Sequence, residues 1–199
     1  MLVLLRHGES EGNAARQLVG RRDSPLTARG RSQAEAMAGA LGPVSRLISS
    51  PLARARTTAA ALGFDVPIEI DERWVEIDYG RYDGEPLGTV PAEVWTRWRA
   101  DPGFRPPGGE TLLELGARVR DACAELFARP DAGARSETDV VVVSHVSPIK
   151  AAVAWALGVG DEVSWRLFLA TGSITRIAWG ADGPVLHRYN ELPSPPSDT

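Results

Sequence analysis

Apolar residues follow two patterns along this chain, short continuous runs and longer stretches with helical spacing. The continuous runs predict strands over residues 2–6, 46–49, 139–144 and 173–179, and a fifth strand over residues 185–189. The run at 140–143 consists of four valines, which is typical of a strand that helices cover on both faces.

Helical spacing predicts four helices between these strands, over residues 27–42, 51–63, 110–129 and 147–158. Thr27 is a suitable N-cap and Gly42 a suitable stop for the first helix, while Ser147 as N-cap and Pro148 as first helical residue would start the last. Alternating strands and helices predict an α/β fold, a three-layer α/β/α sandwich whose mostly parallel sheet carries helices on both faces.

Residues 83–109 interrupt this alternation with many prolines and glycines and with two tryptophans, Trp95 and Trp98. An irregular insertion of this kind is a candidate lid or specificity loop. The three-residue spacing of the tryptophans on a short helix favours core packing over a platform for substrate. The proline- and serine-rich residues 191–199 predict a disordered tail, so we expect one domain over residues 1–190.

Composition is that of an ordinary globular protein. Of 199 residues, 43% are hydrophobic and 24% charged, and no apolar run approaches the roughly 20 residues that span a bilayer. The single cysteine, Cys123, excludes an internal disulfide and suits a reducing compartment. Residues 1–5 lack the pattern of a secretory signal, so we expect a cytoplasmic protein with no membrane partner.

Charge is distributed unevenly along the chain. The net charge is -4, which argues against a nucleic-acid partner, yet the first 60 residues contain nine arginines against four acidic residues. Composition leaves two interpretations of this basic third open. It reflects either drift in an arginine-rich chain or a binding site for a small anionic substrate.

Polar side chains follow two of the predicted strands. Arg6 and His7 end the first strand and His145 ends the valine-rich strand, and parallel strands bring such ends to one edge of a sheet. Arg54 and Arg56 fall in the first turns of a helix, whose N-terminus already favours anions. Because guanidinium groups donate paired, charge-assisted hydrogen bonds to phosphate, these residues predict a cationic phosphate pocket.

Five segments together resemble the successive motifs of one protein family. They are RHGES with Asn13 following, SSPLARARTTA, ERWVEIDYGRYDG, PPGGETLLE and VVVVSHVSPIK, and they cover almost the whole chain in order. The chain thus resembles the histidine phosphatase superfamily, in the branch that also holds the cofactor-dependent phosphoglycerate mutases. The resemblance implies a phosphoglycerate mutase-like α/β/α fold.

The resemblance also implies roles for individual residues. His7 matches the nucleophile that forms phosphohistidine, and Arg6, Arg54 and His145 match the groups that clamp the phosphate. Glu76 matches the general acid, which must hold a proton near neutral pH before it can protonate the leaving group. Further substrate contacts are implied for Ser10, Asn13, Gly20 and Val146.

Other residues compete for these roles. The family pattern favours Arg54 over Arg56, and position within VEIDYG favours Glu76 as the acid. The carboxylates that compete with Glu76 are Glu69, Glu72 and Asp78. His187 is expected to be structural, and three histidines without metal-ligand spacing predict neither a metal site nor another cofactor.

The chain departs from the family pattern at three places. Val146 stands where glycine is usual, Tyr82 stands where tryptophan is frequent, and the glutamine often found before Gly20 is absent. Because a β-branched residue tolerates positive φ poorly, we predict that Val146 has negative φ and still directs its N–H at the phosphate. The other two changes bear on the leaving-group side and so on the identity of the substrate.

These inferences predict a metal-independent phosphomonoester hydrolase that acts through phosphohistidine on a small phosphorylated metabolite. Its motifs resemble those of small acid phosphatases and α-ribazole-phosphate phosphatases. A phosphoglycerate mutase is the alternative, disfavoured because mutases of this type resemble longer chains whose extra segments shield the phosphoenzyme from water. A non-catalytic phosphate-binding module is the third hypothesis, and it requires the decay of an essential group. The apolar segment at 165–172, WRLFLATG, fits either a homodimer face or core packing.

Overall fold

Six strands form one mixed sheet in a computed structural model that describes residues 1–128 and 138–193. The strands are β1 (Leu2–Arg6), β2 (Val44–Ser49), β3 (Ile68–Ile70), β4 (Asp139–Ser144), β5 (Ile174–Gly180) and β6 (Gly183–Glu191), in the sheet order β3-β2-β4-β1-β5-β6. The first four are parallel to one another, whereas β5 runs antiparallel to β1 and β6 antiparallel to β5. The predicted, mostly parallel α/β sheet is confirmed, with an antiparallel hairpin at one edge.

The sequence pattern failed to predict β3. Its three residues, Ile68, Glu69 and Ile70, alternate too briefly to give a strand signal, and all three are exposed at the edge of the sheet. The strand exists because its backbone pairs with β2 between Leu47 and Ser49, which is a tertiary interaction.

Within the described ranges, six α-helices connect or follow these strands. They are α1 (Glu11–Ala14), α2 (Ala28–Gly39), α3 (Ala53–Ala61), α4 (Ala92–Ala100), α5 (Leu112–Phe127) and α6 (Val146–Leu157). Thr27 caps α2 as predicted, by accepting a hydrogen bond from the N–H of Gly30, but the helix ends at Gly39, before the predicted stop at Gly42. None of the described helices is long and apolar enough to span a bilayer.

Helix α6 begins earlier than predicted. Its N-cap is His145, and Ser147, which we assigned as N-cap, lies inside the first turn. The physical reason is a cap from elsewhere in the chain, because the Glu76 carboxylate accepts the N–H groups of both Val146 and Ser147. Gly158 closes the helix with φ of 66°, a left-handed conformation that suits glycine.

The two faces of the sheet carry different helices. Leu2, Leu4 and Val142 pack with α5 and α6, whereas their neighbours in sequence, such as Val3 and Val143, pack with α2 and α3. This alternation within single strands produces the predicted three layers. The valine-rich strand is accordingly covered on both sides.

Part of the predicted insertion over residues 83–109 is helical and has its own apolar cluster. In this cluster Trp98 of α4 is almost completely buried against Leu18, Tyr82, Val90 and Phe104. The structure thus supports core packing for Trp98. In the apolar segment at 165–172, Leu169 is buried and Phe168 is 74% exposed.

Two predicted boundaries reach residues outside the described part of the chain. Arg129, the predicted end of the helix over residues 110–129, lies there, and so do residues 194–199 of the predicted tail. Glu191, which we placed in the tail, is instead the last residue of β6. The assignment of one domain to residues 1–190 stays a prediction.

Candidate active site

The ends of β1 and β4 place the two predicted histidines side by side. Arg6 lies opposite Ser144 in the parallel ladder, and the N–H of His7 extends that pairing by donating to the Ser144 carbonyl at 3.0 Å. The rings of His7 and His145 have centroids 5.0 Å apart and an interplanar angle of 59°. Both residues are buried, and their rings are in contact although 138 positions separate them in the sequence.

Hydrogen bonds define which nitrogen of His7 carries the proton. Arg54 Nε, which can only donate, lies 3.2 Å from His7 Nε2, so Nε2 accepts with its lone pair. His7 Nδ1 lies 2.7 Å from the Gly8 carbonyl oxygen and therefore donates its proton there. This arrangement leaves the lone pair on Nε2, which faces the guanidinium group.

Arg54 is completely buried beneath the opening loop, whereas Arg56 is exposed on the same helix. Besides His7, the Arg54 guanidinium donates to the Gly20 carbonyl at 2.6 Å and to the Arg22 carbonyl at 2.9 Å. These bonds fix the plane of the group. The structure therefore brings Arg54, and not Arg56, to the histidines.

Arg6 and His145 each present a buried nitrogen that has no hydrogen-bond partner among the described residues, Nε of Arg6 and Nδ1 of His145. Their other contacts hold them in place, since Arg6 donates to the Leu169 carbonyl at 2.6 Å and His145 Nε2 lies 2.7 Å from Ser50 Oγ. Unsatisfied buried polar atoms are rare in native proteins. The two nitrogens are therefore candidate contacts for a polar ligand.

Burial and neighbouring cations keep both histidines neutral. Burial lowers the pKa of His7 well below its usual range, and the charges of Arg54 and Arg6 lower it further. Burial, followed by the charge of Arg54, likewise lowers the pKa of His145. Burial also lowers the pKa of Arg6, to about 10, which still leaves that group charged at neutral pH.

Glu76 lies at the start of α6, next to the histidines. Its buried carboxylate accepts N–H groups from Ile77 at 2.8 Å, Val146 at 3.1 Å and Ser147 at 3.2 Å. The competing carboxylates lie elsewhere, since Glu69 pairs with Arg46 on the surface and Glu72 is exposed. Of the candidate acids, Glu76 is the one that the structure places at the start of α6, directly after His145.

Asp78, the third competitor, takes part in local structure. Its carboxylate accepts the N–H of Gly80 at 2.8 Å and lies 3.7 Å from the Arg21 guanidinium. Glu110 accepts the N–H of Asp78 and also binds Arg118. These contacts hold the segment that follows Glu76.

Val146 has negative φ, as predicted, because it lies inside helix α6 and is not among the residues with positive φ. Its N–H donates to Glu76 Oε2 at 3.1 Å. The predicted donation from this N–H to phosphate stays a prediction. It requires the carboxylate to share or release that donor when substrate binds.

The opening loop after His7 is held by a capping box. Ser10 Oγ accepts the N–H of Asn13, and the Asn13 amide oxygen accepts the N–H of Ser10. This pairing fixes Asn13 at the start of α1. Gly8 is required because a Cβ atom there would lie 2.0 Å from the Gly30 carbonyl oxygen, so the loop packs directly on α2. Gly20 contributes a carbonyl to Arg54 and its N–H to Asp83.

An apolar cavity of about 200 Å³ adjoins the Glu76 side of this pocket. Val146 and Ser147, whose N–H groups the Glu76 carboxylate caps, form part of its wall. The aromatic side chains that line it are Tyr79, Trp95, Trp98 and Trp165. Trp98 thus fits both core packing and a platform for substrate, since it packs in the core and lines the cavity.

Sequence reasoning did not identify Ser50 and Thr58 as site residues. Ser50 contacts His145, and Thr58 accepts the N–H of Gly8 while donating to the Arg54 carbonyl. Both residues lie within the motif SSPLARARTTA, so the signal was present. Their roles depend on which way helix α3 faces, which only the packed structure shows.

Comparisons with known proteins agree with this geometry. A family model described as the histidine phosphatase superfamily (branch 1) matches residues 2–192. The chain is 36% identical over 190 residues to "Bifunctional protein Rv2228c" of Mycobacterium tuberculosis, a match that covers 92% of this chain and 51% of that protein. The chain therefore spans about half the length of the first curated relatives it matches. It is also 36% identical over 207 residues to "Probable phosphoglycerate mutase GpmB" of Salmonella paratyphi B, with 96% and 93% of the two chains covered.

Solved structures show the same fold. The mycobacterial glucosyl-3-phosphoglycerate phosphatase Rv2419c superimposes with a TM-score of 0.85 at 31% identity, over 95% of this chain and 98% of that one. The α-ribazole phosphatase of Shigella flexneri superimposes with a TM-score of 0.80 at 27% identity, over 96% of each chain. From the family match over nearly its whole length, this chain belongs to the histidine phosphatase superfamily.

Proposed function

We propose that the protein hydrolyses phosphomonoesters of small metabolites through a phosphohistidine formed on His7. The observation that carries the proposal is the environment of His7 Nε2, a neutral nucleophilic nitrogen 3.2 Å from Arg54 Nε. The ring of His145 lies 5.0 Å from that of His7, Arg6 directly precedes His7, and Glu76 caps the helix that follows His145. Phosphoryl transfer needs little more than such positioning and charge stabilisation.

In the first half of the reaction, His7 Nε2 attacks phosphorus and the bond between phosphorus and the ester oxygen breaks. As the attack begins, the Nε–H group of Arg54 stops donating its hydrogen bond to His7 Nε2 and donates to a phosphate oxygen instead. Glu76 in its protonated form gives its proton to the departing oxygen, so the leaving group departs as an alcohol.

In the second half, water attacks the phosphohistidine. The Glu76 carboxylate accepts a proton from that water, the bond between nitrogen and phosphorus breaks, and inorganic phosphate leaves. His7 regains the Nε2 lone pair, its Nδ1–H stays bonded to Gly8, and Glu76 again holds a proton, which restores the starting state. The residues named here need no metal ion or other cofactor for either half.

Replacement of His7 by alanine tests the proposal. We expect kcat with 4-nitrophenyl phosphate to fall by about 10³-fold or more, because the variant lacks the nitrogen that is proposed to accept the phosphoryl group. His187→Ala is the matched control, since His187 is exposed on β6. A His7→Ala protein that folds and keeps normal turnover would refute the nucleophile. A wild-type protein that binds phosphate without turnover would instead support the non-catalytic binding module.

A phosphoglycerate mutase is the second candidate, supported by the similarity to "Probable phosphoglycerate mutase GpmB" over 93% of that protein. It would use the same nucleophile but return the phosphoryl group to the substrate. Incubation with 3-phosphoglycerate distinguishes the two reactions. We expect free phosphate as the main product, and isomerisation to an equilibrium mixture with little free phosphate would establish the mutase instead.

We also propose a small phosphorylated metabolite as the substrate and the cytoplasm as the place of action. Named relatives act on glucosyl-3-phosphoglycerate and on α-ribazole phosphate according to their names, which supports the first point. The buried, unpaired thiol of Cys123 is compatible with the second. A homodimer through the exposed Phe168 stays a prediction, which sedimentation at several concentrations tests.

A further inference from the structure

Lys150 is the only lysine of a chain whose other 21 cationic side chains are arginines. It lies one helical turn after Val146 on α6, so the two residues share a face of the helix, about 6 Å apart along its axis. Both line the aromatic cavity beside Glu76. The only lysine side chain therefore lies on the leaving-group side of the proposed site.

The ammonium group of Lys150 has donors to spare. It donates to the Ser164 carbonyl at 2.9 Å, and among residues 1–128 and 138–193 no carboxylate forms an ion pair with it. Burial lowers its pKa, with the charge of Glu76 acting in the opposite direction. An ammonium group has three donors, so two remain for another partner.

A partly buried charge without a counter-ion is costly unless a partner compensates it. No carboxylate is among the described residues that line the cavity, and most of its surface consists of Leu18, Ile77, Leu112 and aromatic rings. The charge of Glu76 offsets part of this cost without forming an ion pair with Lys150. The cavity thus combines apolar walls with one ammonium group that has donors available for a ligand.

From this combination we propose that Lys150 binds a carboxylate carried by the leaving group of the substrate, while the tryptophans pack on its apolar part. The substrate class is a phosphomonoester whose alcohol portion has an apolar face and a carboxylate about one helical turn from the phosphorus. Lys150 is then a specificity-determining residue. This inference rests on the proposed function, because the leaving group reaches the cavity only if the phosphate occupies the histidine pocket.

A pair of matched substrates tests the inference. 4-Carboxyphenyl phosphate and 4-carbamoylphenyl phosphate have nearly the same shape and differ in the charge of one substituent. We expect wild type to prefer the carboxylate by about tenfold in kcat/KM, and Lys150→Met to lose that preference, so that the ratio falls to about one. Arg56→Met is the control for net charge, because Arg56 is exposed and remote from the cavity, and its ratio should equal that of wild type.

A second measurement does not depend on turnover. Lys150 and the α-amine of Met1 are the only primary amines of the chain, so reductive methylation followed by peptide mass spectrometry reports on Lys150 alone among side chains. We expect 4-carboxybenzyl phosphonate, which cannot be hydrolysed, to protect Lys150 from methylation. The neutral 4-carbamoylbenzyl phosphonate should protect it less at equal concentration.

The outcomes separate this inference from the proposed function. Hydrolysis of both esters with a ratio that Lys150→Met leaves unchanged overturns the role of Lys150 and keeps the phosphatase. Hydrolysis of neither ester by wild type, with carboxylate-specific protection of Lys150, keeps the binding site and overturns the enzyme. Equal protection by the two phosphonates overturns the carboxylate preference even if Lys150→Met fails to fold.

Discussion

The two halves of the proposed site differ in the polarity of their side chains. The phosphate half, made of Arg6, His7, Arg54 and His145, consists of charged and polar side chains fixed by hydrogen bonds at strand and helix ends. The leaving-group half consists mainly of apolar rings, with the ammonium of Lys150 in its wall. Glu76 and the first turn of α6 lie between them.

This difference indicates what each half can select. The phosphate half recognises a group common to every phosphomonoester, so changes there should affect all substrates alike. The leaving-group half recognises shape, apolar area and a single charge, so changes there should alter the ratio between substrates. The boundary residue, Glu76, should show both kinds of effect.

Replacement of Glu76 by glutamine should give the largest of the effects that depend on substrate. We expect kcat/KM to fall by about 10²-fold or more for an alkyl phosphate such as glycerol 2-phosphate, because its departing oxygen needs a proton. For 4-nitrophenyl phosphate, whose leaving group departs without protonation, the fall should be about tenfold smaller. Steady-state kinetics with both substrates measures the difference, and Glu72→Gln, on an exposed carboxylate, is the control. Equal losses on both substrates would contradict the acid role.

Removal of one cavity ring should have a smaller effect, confined to substrates with a ring. Trp95 lines the cavity and stacks on Trp98 with centroids 5.7 Å apart. We expect Trp95→Ala to lower kcat/KM for phenyl phosphate by about 3- to 10-fold relative to glycerol 2-phosphate, through lost aromatic contact. Trp179→Ala is the matched control, because Trp179 stacks on Phe127 and is not part of the cavity wall. If the ratio of the two kcat/KM values changes equally in both variants, the cavity does not bind the leaving group.

The phosphate half should also make stability depend on pH. The pKa of His145 lies well below its usual value of 6.5 in the folded protein, so the unfolded chain binds the proton more readily. Stability is therefore complete above about pH 6.5 and is lost as the pH falls below that value, at up to about 1.4 kcal/mol per pH unit for one histidine.

Urea unfolding of wild type and His145→Gln between pH 7.5 and pH 5 measures this contribution. We expect the pH slope of the unfolding free energy to be smaller in His145→Gln by up to that amount. The slope of His187→Gln should match wild type, since His187 is exposed. Identical slopes in all three proteins would contradict the buried, neutral state of His145.

Sequence information was strongest where a motif residue follows a long, continuous strand. The valine run and the opening strand specified β4 and β1, and parallel pairing alone then predicted that His7 and His145 would meet. Arg54 could be preferred over Arg56 only by resemblance, because helix periodicity permits either to face inward. The burial of Arg54 against the strand ends settled its position.

Sequence information was weakest where a local element depends on a distant group. The start of α6 was misplaced because its cap comes from Glu76, 70 residues away from Val146. The edge strand β3 escaped prediction because three residues carry too little periodicity. The cavity likewise joins Leu18, Trp95, Lys150 and Trp165, which no local pattern relates to one another.

By itself, the sequence determined the strands and most of the helices, the family and the chemical types gathered at one edge of the sheet. These follow from periodicity and from motifs, both of which are local along the chain. Only the tertiary structure decided that Glu76 caps α6, that His7 presents Nε2 to Arg54, and that the only lysine lines an aromatic cavity. Each of these depends on hydrogen bonds or contacts between segments far apart in sequence, whose partners become fixed only when the layers pack together.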